Sequence, residues 1–150
     1  MKRILFISLF SLFYCSVGVS ETMPTGYITY EQYIVRMNEK ALERLLLAIR
    51  ITESGLNDFA VGAALDVGPL QITPIRLADY NQKTGKNYSH SDCFKWQVSR
   101  EIFLYYANQI GISQDNWEQI SRRWNRAYEW QDEKGAEYWR KVTKHLNTTT

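Results

Sequence analysis

The sequence predicts a mainly α-helical domain, because apolar residues recur at helical spacing in stretches separated by short connections with capping residues. The clearest stretch contains Leu42, Leu46 and Ile49, which lie three or four residues apart. We find no convincing run of alternating apolar and polar residues, the pattern typical of a half-buried strand. Residues 21–150 are long enough to bury one core, so we expect a single domain there.

The first predicted helix covers about residues 30–53, and Thr29 is its expected N-cap. Residues 60–65 could form a short hairpin around a glycine. Thr73 is expected to cap a second helix that opens with Pro74 and runs to about residue 83.

Three more helices are expected in the second half of the chain. One begins at Ser89 or Ser91 and ends at Gly111, and the next is capped by Ser113. The last covers about residues 134–146. Their inward-facing residues are expected to include Val98, Ile102, Tyr105, Tyr106, Trp117, Ile120, Trp124, Tyr138, Trp139 and Val142.

Residues 1–20 have the pattern of a secretory signal peptide. Lys2 and Arg3 precede an apolar run that ends at about residue 17, and small residues follow it. The run is too short for a comfortable membrane span, and an uncleaved N-terminal anchor is the alternative. We therefore expect an exported protein.

Charge and cysteine content narrow the class of protein. The formal net charge is +2, and both excess charges belong to Lys2 and Arg3, so residues 21–150 are formally neutral. This balance argues against a nucleic-acid binder. Those residues keep only Cys93, which rules out an internal disulfide, and export without disulfides suits a bacterial periplasm or cell envelope. His90 and His145 are too far apart in sequence to indicate a metal site.

Glu53 is the strongest candidate for a catalytic residue. It lies four residues beyond Ile49, so its side chain continues the buried stripe of the first helix. Gly55 indicates that this helix ends beside it, with the negative end of the helix dipole close by. Burial and the dipole both raise the pKa of a carboxyl group, and a carboxylic acid that is partly protonated near neutral pH can act as a general acid.

Several short segments around Glu53 resemble the catalytic core of the soluble lytic transglycosylase and goose-type lysozyme group, within the lysozyme-like superfamily. They are Glu-Ser-Gly at 53–55, Asn-Asp at 57–58, Ala-Val-Gly at 60–62 and Gly-Pro-Leu-Gln-Ile-Thr-Pro at 68–74. Arg-Arg-Trp-Asn at 122–125 resembles the second signature of that family. The resemblance implies a lysozyme-like domain with its active-site cleft at the C-terminus of the long first helix.

The resemblance also implies an activity. Lytic transglycosylases cleave the β-1,4 bond between MurNAc and GlcNAc in peptidoglycan and leave 1,6-anhydro-MurNAc ends. Glu53 would then act first as the acid and afterwards as the base, with no cofactor and no metal. The implied partners are peptidoglycan glycan strands, and we expect a monomer. The resemblance leaves the biological setting open among wall turnover, wall opening for an envelope-spanning secretion or conjugation machinery, and lysis encoded by a mobile element.

The same resemblance assigns substrate-binding roles to Ser54, Gln71 and Asn125. Ser54 could instead be a simple helix-end hydroxyl, and Gln71 could only tie down its own loop. Tyr128, together with Trp130, is the best candidate to stack on a saccharide face.

One departure from the family pattern and one further carboxylate leave other functions open. Asn125 is followed by Arg126, Ala127 and Tyr128 rather than by glycines, which favours a catalytically silent peptidoglycan-binding protein as one alternative. Asp66 could face the cleft and position a water molecule, which would make the protein a lysozyme-type hydrolase of the same bond.

Overall fold

The computed structural model describes residues 29–148, so the expected signal peptide lies outside the described residues. The described part is mainly α-helical, as predicted. Its five α-helices are α1 (Tyr30–Ser54), α2 (Pro74–Thr84), α3 (Trp96–Asn108), α4 (Trp117–Arg126) and α5 (Glu133–Thr148). Two 3-10 turns, His90–Phe94 and Gln114–Asn116, precede α3 and α4. Across residues 29–148 no helix is both long enough and apolar enough to cross a membrane.

Helix α1 begins and ends where the sequence predicts. The Thr29 hydroxyl accepts a hydrogen bond from the Gln32 amide at 3.1 Å, and the Gln32 side chain accepts one from the Thr29 amide at 3.0 Å. Gly55 ends the helix in the left-handed conformation, with φ of 60°. The buried face of α1 consists of Leu45, Leu46, Ala48 and Ile49, so Glu53 follows directly along that face.

Helix α2 also agrees with the prediction. The Thr73 hydroxyl accepts a hydrogen bond from the Arg76 amide at 3.2 Å, and Pro74 occupies the first turn. The helix ends at Thr84, and Gly85 follows with φ of 71°. A loop of 19 residues, from Gly55 to Thr73, therefore joins two well-capped helices.

The single helix expected from Ser89 or Ser91 to Gly111 is wrong, because the chain forms a 3-10 turn followed by the separate helix α3. Lys95 between them is extended, with φ of −79° and ψ of 125°. Asp92 accepts a hydrogen bond from the Ser89 amide at 2.9 Å, so Ser89 begins only the short turn. The buried Ser99 hydroxyl donates to the Cys93 carbonyl at 2.6 Å and holds the turn against α3.

Two smaller expectations also need correction. Ser113 precedes a 3-10 turn and makes no side-chain capping bond, so α4 begins only at Trp117. The hairpin expected within residues 60–65 is replaced by two isolated antiparallel bridges, from Val61 to Val67 and from Val67 to Ile72. The reversal is longer than expected because the Gly62 amide bonds to the carbonyl of Asp66, at 2.7 Å.

Helix α5, the last helix of the described chain, packs against α1, the first helix, and also against α4. Its buried residues Tyr138, Val142 and Leu146 recur at spacings of four and enter the same core as the buried face of α1. Phe103 and Trp124 pack edge-to-face at the centre of this core, with ring centroids 4.9 Å apart. This packing carries Tyr138 to the C-terminal end of α1.

Candidate active site

The carboxyl group of Glu53 is held at the junction of α1 and α5. The residue keeps some exposed surface, but its carboxyl group is largely enclosed by protein. The hydroxyl of Tyr138 donates a hydrogen bond to Oε1 of Glu53 at 2.7 Å. A neutral donor thus fixes the orientation of a partly accessible acid.

Burial raises the pKa of Glu53 from 4.5 to about 7. The negative charge of Asp66 raises this pKa further, whereas the Tyr138 hydrogen bond and the positive charge of Arg76 lower it. The direction predicted from the apolar stripe is therefore confirmed, with desolvation as its largest cause. Near neutral pH the group exists as comparable amounts of acid and carboxylate.

Arg76 supplies a fixed cation near this carboxyl group. Its Nη2 atom donates to the carbonyl of Trp124 at 2.6 Å, and its guanidinium lies 4.2 Å from the centroid of the Trp124 ring. Burial lowers the pKa of Arg76, while Tyr106 and Glu53 raise it. The hydrogen bond and the stacking hold the guanidinium in one place, where it can stabilise the ionised form of Glu53.

The sequence analysis assigned no functional role to Arg76 or Tyr138, although each residue is unusual for its position. Arg76 lies in the first turn of α2, where the helix dipole disfavours a cation. Tyr138 puts a hydroxyl on the apolar stripe that continues with Val142 and Leu146, and a buried hydroxyl needs a partner. Neither feature indicates that the residue lies close to Glu53.

Gln71 is hydrogen-bonded to the backbone of its own loop. It is buried, its φ is 50°, and its Nε2 donates to the carbonyls of Gly68 at 2.9 Å and Ala60 at 3.3 Å. These bonds support the alternative interpretation, that Gln71 stabilises its own loop. They do not use the amide oxygen, which is the atom of Gln71 that a sugar would have to meet.

Ser54 joins the end of α1 to the same loop. Its Oγ lies 3.1 Å from the carbonyl of Arg50 and 3.1 Å from the carbonyl of Pro69. The first contact is the back-bond of a helix-end hydroxyl, and the second fixes the loop against the helix. Ser54 therefore positions the loop relative to Glu53.

Asp66 and Asp58 have different surroundings. Oδ1 of Asp66 accepts a hydrogen bond from the Ala64 amide at 3.1 Å, and the carboxylate packs so closely on Gly62 that a Cβ there would lie 2.1 Å from Oδ2. The charge of Asp66 acts on Glu53. Asp58 instead lies in a turn and pairs with Arg50 at 2.6 Å.

Asn125 and Tyr128 lie at the end of α4. Asn125 is exposed, and the side chain of Tyr128 is 99% exposed. Within residues 29–148 no hydrogen bond or ion pair joins either of them to Glu53. Tyr128 lines a cavity of about 420 Å³ between α2, α3 and α4, which we call the α2–α4 cavity, and Arg76 lines it too. Trp130 lies beneath Arg123, whose Cζ is 4.9 Å from the centroid of its ring.

We infer the chemistry of this site from its own geometry. Comparisons with protein-family models, curated proteins and solved structures find no match for this chain. Among residues 29–148 there is no group of three or more His, Cys, Asp or Glu side chains that could hold a metal ion. The arrangement combines one acid with a pKa of about 7, a hydrogen-bond donor and a cation. Such a group can deliver a proton and later take one back.

Proposed function

We propose that this protein is a lytic transglycosylase, which cleaves the β-1,4 bond between MurNAc and GlcNAc in peptidoglycan and leaves 1,6-anhydro-MurNAc ends. The observation that carries the proposal is the state of Glu53, a partly accessible carboxyl group with a pKa raised to about 7. The sequence motifs around Glu53, which resemble those of the lytic transglycosylases, supply the substrate class.

The reaction needs one group that is first an acid and then a base. Protonated Glu53 gives its proton to the glycosidic oxygen as the bond from C1 of MurNAc to that oxygen breaks. The oxygen of the substrate's own N-acetyl group stabilises the cation at C1. The Glu53 carboxylate then takes the proton of the 6-hydroxyl, and O6 bonds to C1. The proton is back on Glu53, and no water is consumed.

The surroundings of Glu53 suit both halves of this reaction. A pKa near 7 makes the acid strong enough to protonate the leaving oxygen and the carboxylate basic enough to accept a hydroxyl proton. The Tyr138 hydrogen bond and the charge of Arg76 both favour the carboxylate that exists between the two steps. Burial raises the pKa of Tyr138 well above its usual value, so its hydroxyl remains a donor throughout.

The remaining features of the proposal come from the sequence. They are a lysozyme-like arrangement with the cleft at the C-terminal end of α1, removal of residues 1–20 on export, and a location in the periplasm or cell envelope. We also propose a monomer that needs no cofactor; an envelope-spanning machinery is one of three settings that the sequence leaves open, with wall turnover and lysis encoded by a mobile element. The mainly α-helical structure and the position of Glu53 at the end of α1 are compatible with that arrangement.

A lysozyme-type hydrolase is the second candidate, and Asp66 is the observation that favours it. Its carboxylate is close enough to Glu53 to influence that residue's pKa and could activate a water molecule. A hydrolase would add water across the bond, whereas a transglycosylase would not. A catalytically silent binder, suggested by the residues that follow Asn125, is the third candidate.

The test is to incubate purified cell-wall sacculi with the exported protein and to analyse the soluble products by mass spectrometry. We expect anhydro-muropeptides from the wild type and from Glu137→Gln, an exposed control on α5, and none from Glu53→Gln. Equal product from Glu53→Gln would contradict the proposal. Sedimentation of folded wild type with sacculi, without any soluble product, would establish the silent binder.

A further inference from the structure

Trp124 makes a hydrogen bond to the active-site loop, by which we mean the loop from Gly55 to Thr73. Its indole Nε1 donates to the carbonyl of Leu70 at 3.2 Å, and both side chains are buried. A buried indole N–H needs an acceptor, and here the acceptor lies 54 residues earlier in the chain. This hydrogen bond fixes the active-site loop against the end of α4.

The same loop is fixed to the end of α1 at the neighbouring residue. The carbonyl of Pro69 lies 3.1 Å from Oγ of Ser54, the residue that follows Glu53. Two consecutive carbonyls, those of Pro69 and Leu70, thus bond to side chains from two helices, α1 and α4. Both residues are fully buried, so water has little access to either bond. The active-site loop therefore sets the position of Trp124 relative to Glu53.

Trp124 also holds Arg76, both by its ring and by its backbone. The guanidinium lies 4.2 Å from the ring centroid, and Nη2 donates to the Trp124 carbonyl at 2.6 Å. Tyr106 lies on the Arg76 side too, with its ring centroid 5.8 Å from Cζ, and its hydroxyl donates to Asp79 at 2.6 Å. In the part of the chain that the structure describes, no carboxylate pairs with Arg76, so Trp124 provides the direct contacts that hold the guanidinium.

The groups that act on Glu53 and Arg76 come from four helices and the active-site loop. Glu53 of α1 is influenced by Tyr138 of α5, by Arg76 of α2 and by Asp66 of the loop. Arg76 is influenced by Glu53 and Tyr138, and also by Tyr106 of α3. Among these groups of the described chain, Arg76 is the one cation. Its distance from Glu53 therefore decides how much positive charge the carboxylate meets.

We propose that Trp124 is a positioning residue, which keeps Arg76 in a fixed place beside Glu53 by holding the guanidinium and the active-site loop at the same time. This proposal rests on the proposed function. Between the two steps of that reaction Glu53 is a carboxylate, and a cation already in place stabilises it without reorganisation. Trp124 acts through Arg76 and takes no part in the proton transfers.

The titration of Glu53 in the absence of substrate tests this role. It is followed by the ¹³C NMR signal of the side-chain carboxyl group, which is assigned by its absence in Glu53→Gln. We expect Arg76→Gln to raise the titration midpoint by about one pH unit, because it removes a charge that lowers the pKa of Glu53. Trp124→Leu should raise the midpoint nearly as much although Arg76 is still present, and it should add nothing in a double variant with Arg76→Gln.

Trp117→Leu is the matched control. Trp117 lies on the same helix and packs partly buried against the core, but across residues 29–148 no hydrogen bond or ring contact joins it to Arg76. This control should titrate as wild type does. The proposal would be overturned if Trp124→Leu left the midpoint unchanged, or raised it equally with and without Arg76. A rise in Trp117→Leu equal to that in Trp124→Leu would overturn it too.

Arg76→Lys provides a second test that leaves the buried tryptophan in place, in case Trp124→Leu does not fold. Lysine keeps the positive charge but lacks the planar guanidinium that stacks on Trp124 and donates to its carbonyl at the same time. We expect the midpoint to rise by at least half as much as in Arg76→Gln. A midpoint equal to that of wild type would show that the charge alone matters, and would overturn the role of Trp124.

Cleavage provides a separate readout. The pH above which kcat/KM falls should move with the NMR midpoint in each variant. The titrations need no cleavage, so a failure there would overturn the role of Trp124 and leave the transglycosylase intact. An absence of peptidoglycan products from folded wild type would instead overturn the proposed function.

Discussion

Replacing Glu53 by glutamine should stabilise the protein at neutral and alkaline pH. Glutamine has the same shape as glutamate and can still accept the Tyr138 hydrogen bond through its amide oxygen, but it cannot ionise. Wild type must bear the cost of an ionised carboxylate in a largely enclosed site, and the variant does not. The difference is a property of folding, so it can be measured without knowledge of the substrate.

The sign and size follow from the pKa of Glu53 in the two states. This pKa is 4.5 in the unfolded chain and about 7 in the folded protein, so between these values the folded state holds the extra proton. The stability that Glu53 contributes is fully present below pH 4.5 and is lost as the pH rises through 7. Each pKa unit corresponds to about 1.4 kcal/mol, so the loss is about 3 kcal/mol at pH 8.

The assay is urea unfolding of both proteins between pH 4 and pH 8, with the free energies of unfolding compared at each pH. We expect the advantage of Glu53→Gln to grow by about 3 kcal/mol over this range. Glu137→Gln is the control of opposite sign, because the hydrogen bond from Lys141 lowers the pKa of Glu137 and its ionisation stabilises the folded state. A difference for Glu53→Gln that does not change with pH would refute the buried-acid account.

Three further predictions concern the site and its loop. The kcat/KM of wild type should fall above about pH 7, where Glu53 loses its proton, and approach a tenfold loss per pH unit; a rate that is flat to pH 9 would contradict this role. In the same pH–rate measurement, Tyr138→Phe should move this fall to higher pH, because it removes a hydrogen bond that lowers the pKa of Glu53. Asp66→Asn should move the fall to lower pH, because it removes a charge that raises that pKa. Shifts in the opposite directions would contradict the arrangement. Gly68→Ala should destabilise the protein by about 3 kcal/mol in urea unfolding, because φ is 82° and the new Cβ would lie 2.1 Å from the Cys93 carbonyl; an unchanged midpoint would show that the turn can move.

Helix positions could be predicted where local chemistry decides them. Thr29 with Gln32, and Thr73 with Pro74, are local signals, and the helices α1 and α2 begin at these residues. Ser89 and Ser113 carry a similar signal but begin only 3-10 turns. Packing decides the difference at the first of these turns, because the Gly68 backbone approaches the Cys93 carbonyl from a distant part of the chain.

The candidate site, too, could be predicted only where the local sequence decides it. The position of Glu53 on an apolar stripe beside a helix end is a local pattern, and it gives the correct direction for the pKa. Tyr138 lies 85 residues further along the chain, and its contact with Glu53 depends on the packing of α5 against α1. No local pattern encodes that contact, nor the stacking of Arg76 on Trp124.

The most direct test of the central claim, that Glu53 closes an anhydro ring without water, is digestion of sacculi in water enriched in ¹⁸O. Mass spectrometry of the new MurNAc ends then distinguishes the two chemistries. We expect anhydro ends that carry no ¹⁸O and that disappear in Glu53→Gln. Hydrated ends that carry one ¹⁸O would contradict it and would make Asp66 the second catalytic carboxylate of a hydrolase.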